Sequence, residues 1–189
     1  YYDFDATLTA DRIKSVITSV ENIGYPVVAC VCDMAGGNRG LLKNLGVSET
    51  QPSFPNPVSS DRAVWCFADI PHALKLLRNH FIDSGFKMPS GAIFQKSVIQ
   101  NVMDKDSEEV KVAYQLQPAH LTVIGMERQN VRLAAQLFSR KTAAAIRYIM
   151  PGNSEMADFF TLVNDAFDLL NVRHKQGKFA STTTYGLKL

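Results

Sequence analysis

Two short apolar runs, each ending in an aspartate, constrain this chain more than anything else in it. The first, Val27-Val28-Ala29-Cys30-Val31-Cys32, runs into Asp33 and the turn Met34-Ala35-Gly36-Gly37. The second, Val64-Trp65-Cys66-Phe67-Ala68, runs into Asp69-Ile70-Pro71-His72. Unbroken apolar runs of this length read as strands buried on both faces. Helical spacing lies around them. Thr9 is placed to cap a helix that carries Ile13, Val16, Ile17, Val20 and Ile23 and closes at Gly24. A short helix near 38–45 stops at Gly46, and the Pro- and Ser-rich stretch 48–61 reads as a loop. Asp69 and Pro71 suit the start of a helix over 70–83, with Gly85 after it. This order of strands and helices is that of an α/β layer with mainly parallel strands.

The pattern changes near residue 87. No run beyond it has strand character, and helices are expected at 92–104, 107–117, 127–138, 139–149 and 154–172. The chain therefore divides into an α/β part, 1–86, and an all-α part, 87–189. The tail from Gln176 is polar and expected to be loose. Hydrophobic residues make up 46% of the chain and charged ones 20%, enough to bury a core. A net charge of +2 carries no overall basic bias toward nucleic acid. No apolar run reaches the ~20 residues of a membrane span, and the start lacks a signal peptide's features. A chain opening on Tyr1 is expected to be an excerpt of a longer protein. Cys30, Cys32 and Cys66 are too few for a disulfide framework and lack zinc-ligand spacing, so they read as reduced, buried thiols.

Three constellations carry candidate chemistry. Asp3-Phe4-Asp5-Ala6-Thr7 is close to the DxDxT signature of haloacid-dehalogenase-type phosphatases, in which Asp3 would attack phosphorus and Asp5 handle protons. That class needs a further acidic pair for Mg²⁺, which the chain does not show, and its usual glycine is Ala6 here. Asp33, Asp69 and His72 form the second set. Carboxylates at the ends of adjacent parallel strands can converge on divalent ions for phosphoryl transfer. The same residues also serve plain ends: a cap on the Gly36-Gly37 turn, a helix N-cap and a first-turn side chain. The third is Asn164, Asp168 and Asn171, one face of a single helix. A carboxylate beside amides suits guanine, since Asp accepts from N–H groups on the base edge. A solvated helix face explains the stripe as simply.

Longer stretches resemble a known family. Tyr2-Asp3-Phe4-Asp5, Gly24-Tyr25-Pro26-Val27-Val28-Ala29, Asn38-Arg39-Gly40-Leu41 and Leu45-Gly46-Val47-Ser48-Glu49 are similar to the P-element-type, THAP-related DNA transposases. So are Asp69-Ile70-Pro71-His72, Leu76-Leu77-Arg78-Asn79-His80, Ala135-Gln136-Leu137-Phe138-Ser139 and Asn164-Asp165-Ala166-Phe167-Asp168. The resemblance implies a partial RNase H-like layer in 1–86, followed by part of a GTP-binding insertion domain in 87–189. It implies DDE chemistry with Mg²⁺ or Mn²⁺, Asp33 as a metal-binding catalytic carboxylate, and Asp69 and His72 as a D-x-x-H signature beside it. It further implies nucleotide contacts at Asn130, Val131, Phe167, Asp168 and Asn171, with Asn130 standing where better-known members carry lysine. The implied partners are transposon-end DNA and GTP, in a nuclear protein that is a homo-oligomer in its full form. Since one carboxylate of three cannot hold two metals, the chain alone is expected to be inactive in transposition. The rival reading is a domesticated, non-catalytic nuclear protein that binds DNA or nucleotide. Lys75, Arg78, Arg132, Arg140, Lys141 and Arg147 are candidate DNA contacts.

Overall fold

The computed structural model describes residues 9–106 and 111–171. The chain forms two compact units that meet in sequence between Asp69 and Ile70. The division falls ahead of the compositional change at 87, because the helix from Ile70 to Asp83 buries Leu74, Phe81 and Ile82 in the helical core rather than with the first sheet.

The first unit runs α1 (Ala10–Asn22), β1 (Ala29–Cys32), α2 (Gly36–Asn44), β2 (Ser53–Pro55) and β3 (Ala63–Ala68). Thr9 caps α1 as expected, its hydroxyl accepting from the Arg12 N–H at 3.3 Å. The sheet order is β1-β3-β2. β1 and β3 are parallel, with Cys30 opposite Cys66, while β2 runs antiparallel to β3. Ile17, Leu45, Phe54 and Val64 form the core, with Ile13, Leu41, Cys30 and Cys66 packed against it. The expectation that both strand faces are buried needs correction. Val31 is 67% exposed, and Trp65 and Phe67 share its outward face. A wholly apolar run has no alternation to say which side the helices cover. The sheet is not mainly parallel either, because the expected loop 48–61 supplies the antiparallel β2.

A carboxylate ties this unit together. Glu21, near the end of α1, receives both Arg62 guanidinium nitrogens at 3.0 and 2.6 Å. It also accepts from the Val27 N–H and the Asn56 amide, each at 2.8 Å. These bonds join the end of α1, the entry to β1 and the β2–β3 connection.

The second unit runs α3 (Ile70–Asp83), β4 (Phe86–Lys87), β5 (Ile93–Phe94), α4 (Lys96–Lys105), α5 (Val131–Leu137), α6 (Arg140–Ile149) and α7 (Ser154–Leu170). It is not all-α: β4 and β5 pair as an antiparallel hairpin. Strands of two residues are too short to leave a periodic signature. Of the expected helix 107–117, residues 107–110 lie outside the described part and the rest forms turns leading to a 3₁₀ turn at Pro118–His120. The expected helix 127–138 breaks in two. A 3₁₀ segment, Gly125–Gln129, ends where the Asn130 side chain caps α5 by accepting from the Leu133 N–H. Ser139 caps α6 in the same way. The core is built on phenylalanines. Phe81 meets Phe138 and Phe160 edge-on, and Phe138 and Phe160 lie 4.9 Å apart. Among the described residues, no helix is long and apolar enough to cross a membrane.

Candidate functional site

In the first unit, parallel pairing brings the two aspartates to one end of the sheet. Cys32 pairs with Ala68, and the Asp69 N–H donates to the Cys32 carbonyl at 2.8 Å. Asp33 and Asp69 thus follow directly on paired residues of neighbouring strands. Asp33 is half-buried, and its Oδ1 accepts from the Ala35 N–H at 3.0 Å and from the Asn38 amide at 2.7 Å. These bonds shape the turn into α2 and orient the carboxylate at the strand end. Carboxylate oxygens suit hard divalent cations. Among the described residues, no three His, Cys, Asp or Glu side chains gather tightly enough to hold an ion. His72 stands in the first turn of α3, in the second unit. Asp3 and Asp5 lie outside the described residues.

The three cysteines sit on the covered face of this sheet and are free thiols. Burial pushes the Cys66 thiol up to about 11, helped by nearby Cys30 and Cys32. Burial also raises Cys30 and Cys32. Raised thiols are poor nucleophiles and belong to the packing.

In the second unit, a cleft of about 270 Å³ opens between α5 and α7. From α7 come Asn164, Phe167 and Asp168; from α5 come Arg132 and Gln136. Helical periodicity places Asn164 and Asp168 one turn apart, and the Asn164 amide donates to Asp168 Oδ2 at 3.1 Å. It also reaches Asp165 Oδ1 at 3.2 Å, and Asp165 in turn holds Arg140 through two bonds of 2.7 and 2.8 Å. The wall therefore presents an oriented carboxylate beside a half-buried aromatic ring. Among the described residues that line the cleft, Arg132 is the one cation and Asp168 the one carboxylate.

The other expected nucleotide contacts fall differently. Asn130 caps α5 and Val131 is its first residue, two positions and one position ahead of the cleft-lining Arg132 but outside the lining itself. Asn171 is the exposed C-cap of α7. Leu74, Gln115, Gln136 and Ser139 also line the cleft and went unnoticed as site residues. They come from three separate stretches of the chain, around 74, 115 and 136–139, which no single linear motif joins.

One of the candidate DNA contacts is ruled out by burial. Arg78 is 0% exposed, donating to the Glu127 and Arg128 carbonyls at 3.2 and 2.8 Å. Arg140 and Arg147 are paired with Asp165 and Asp158.

Comparison with known proteins bears on both sites. The model of a family described as the TNP-like, GTP-binding insertion domain matches residues 71–183. The Transposable element P transposase of Drosophila melanogaster is 33% identical over 177 residues, 90% of this chain and 24% of that protein. The DNA transposase THAP9 of Homo sapiens is 26% identical over 183 residues, 90% of this chain and 20% of that protein. The solved Drosophila P element transposase strand transfer complex matches with a TM-score of 0.84 at 33% identity, over 93% of this chain and 41% of that one. The chain thus spans less than a quarter of the length of these curated relatives.

Proposed function

Because this chain belongs to the family of TNP-like, GTP-binding insertion domains, we propose that its helical unit binds a guanine nucleotide in the cleft between α5 and α7. The observation that carries this reading is Asp168 beside Phe167 on the cleft wall, with Asn164 bonded to the carboxylate. Guanine offers adjacent N–H donors that a carboxylate accepts as a pair, whereas adenine offers an acceptor at the corresponding ring nitrogen. Phe167 supplies a face for stacking. At about 270 Å³ the cleft is just under the range that encloses a whole drug-sized ligand, so it suits a base, with sugar and phosphates toward the open side. Arg132 is the cation available to those phosphates. Asn130, Val131 and Asn171 would contribute from the rim.

Calorimetry with GTP and ATP tests the reading. GTP should give a saturable heat and ATP little. Asp168→Asn keeps the shape but turns one acceptor into a donor, and it should weaken GTP by tenfold or more. Equal heats for the two nucleotides, or GTP binding unchanged in Asp168→Asn, would count against it.

The first unit supports a second part of the same proposal, a partial RNase H-like layer in a transposase that cuts and joins DNA in the nucleus. Asp33 would contribute a carboxylate to a Mg²⁺ or Mn²⁺ site, which would supply charge stabilisation at the reacting phosphate. Its fit rests on an oriented carboxylate at the end of the parallel pair β1–β3, with Asp69 alongside. Two ions need more carboxylates than these, so this chain's share of the site is partial. In the full protein, Asp33→Asn should abolish DNA strand cleavage while leaving GTP binding intact.

A further inference from the structure

A buried histidine stands behind the cleft and does nothing in the reading above. His120 is only 2% exposed, in the 3₁₀ turn Pro118–His120. Its Nε2 lies 3.2 Å from the Gln136 Oε1, and Gln136 lines the cleft. Its Nδ1 lies 3.1 Å from both the backbone N and the backbone O of Gln117. The Gln117 carbonyl already accepts from the His120 N–H at 2.9 Å. Among the described residues the Gln117 N–H finds its acceptor in the imidazole, so Nδ1 carries the lone pair and the ring proton sits on Nε2. That proton must meet an oxygen. The tautomer therefore fixes the Gln136 amide with its oxygen toward His120 and its NH₂ as the atom left for a ligand.

We infer that Gln136 is a specificity-determining residue for the base, its NH₂ donating to the carbonyl at position 6 of guanine, and that His120 is the positioning residue that sets its orientation. The inference rests on the proposed nucleotide site. Asp168 and Gln136 then read complementary parts of one base edge: the carboxylate takes the N–H donors and the amide supplies a donor to the carbonyl. Adenine carries an amino group at that place, and two facing donors repel it. The opposite tautomer would turn the Gln136 oxygen outward, toward a donor such as adenine's amino group, so a proton on one buried ring adds to the selection that Asp168 makes.

The test is a set of titrations with GTP, ITP and ATP. ITP keeps the carbonyl and lacks the amino group at position 2. In Gln136→Met, which keeps the side-chain length, GTP and ITP should each weaken about tenfold and ATP should bind no more weakly than before. His120→Phe should narrow the GTP-to-ATP ratio with Gln136 still in place. Where that variant fails to fold, nitrogen-15 NMR of the unaltered chain serves instead and should show His120 protonated on Nε2 alone. A GTP-to-ATP ratio unchanged by Gln136→Met, or a proton on Nδ1, overturns the inference. Failure of the unaltered chain to bind GTP at all removes the underlying site, and this role with it.

Discussion

Glu21 shows how much one side chain can hold. The bonds from Arg62, first among its partners, and then the Val27 N–H, draw its carboxyl down to about 2 from an ordinary 4.5. A carboxylate more acidic in the folded than in the unfolded chain adds stability at pH above its unfolded value, lost as pH falls through the folded one. Glu21→Gln should therefore destabilise the first unit in urea melts at pH 7. The gap from the unaltered chain should begin to close below about pH 4.5 and vanish near pH 2. Cys66 behaves in the opposite sense. At about 11 against an ordinary 9.0, its thiolate population at pH 8 falls roughly a hundredfold. Iodoacetamide should modify it correspondingly more slowly than a free thiol, as timed by mass spectrometry. Asp33, Asp69 and Asp168 stood out in the sequence because a strand end and a polar stripe on one helix face are local patterns, although caps and a solvated face account for them as simply. Glu21 and Arg62 did not, being 41 residues apart with ordinary surface identities. His120 and Gln136 were hidden for the same reason: sixteen positions separate them, and only packing turns them toward each other.

Long helices with a clear apolar face were legible. α1, α3, α6 and α7 all lie where their periodicity puts them, and Thr9 caps as its side chain dictates. The β4–β5 hairpin was not, although Gly85 marked the end of α3. Gly85 has φ +71°, and a Cβ placed there would collide with the carbonyl oxygen of Phe94. The left-handed backbone costs a side chain about 1–2 kcal/mol, and the collision adds to it. Gly85→Ala should lower the melting temperature of the second unit, read by circular dichroism. An unchanged melt would mean that β5 can move aside. The break at Asn130 is an element-level outcome as well. Asn favours caps over helix interiors because its side chain competes for backbone N–H groups. Helical periodicity on both sides of it concealed the interruption.

Across the molecule, ligand and stability are linked. If GTP binds the folded helical unit alone, a hundredfold excess over its Kd should add about 2.7 kcal/mol to that unit's stability. Thermal unfolding with GTP should move upward, and with ATP much less; superimposable curves would contradict the proposed cleft. The α/β-then-helical order of the chain, the positions of α1, α3, α6 and α7 and its likeness to the P-element-type family could be read before any coordinates, because periodicity, caps and motif runs are local properties written in consecutive residues. What required the folded chain was everything built from residues distant in sequence. The division at Asp69, the direction and exposed face of each strand, the phenylalanine core and the cleft lined by α5 and α7 depend on which surfaces exclude water together. Hydrophobic burial is non-directional, so an apolar residue announces that it will be covered but not by what.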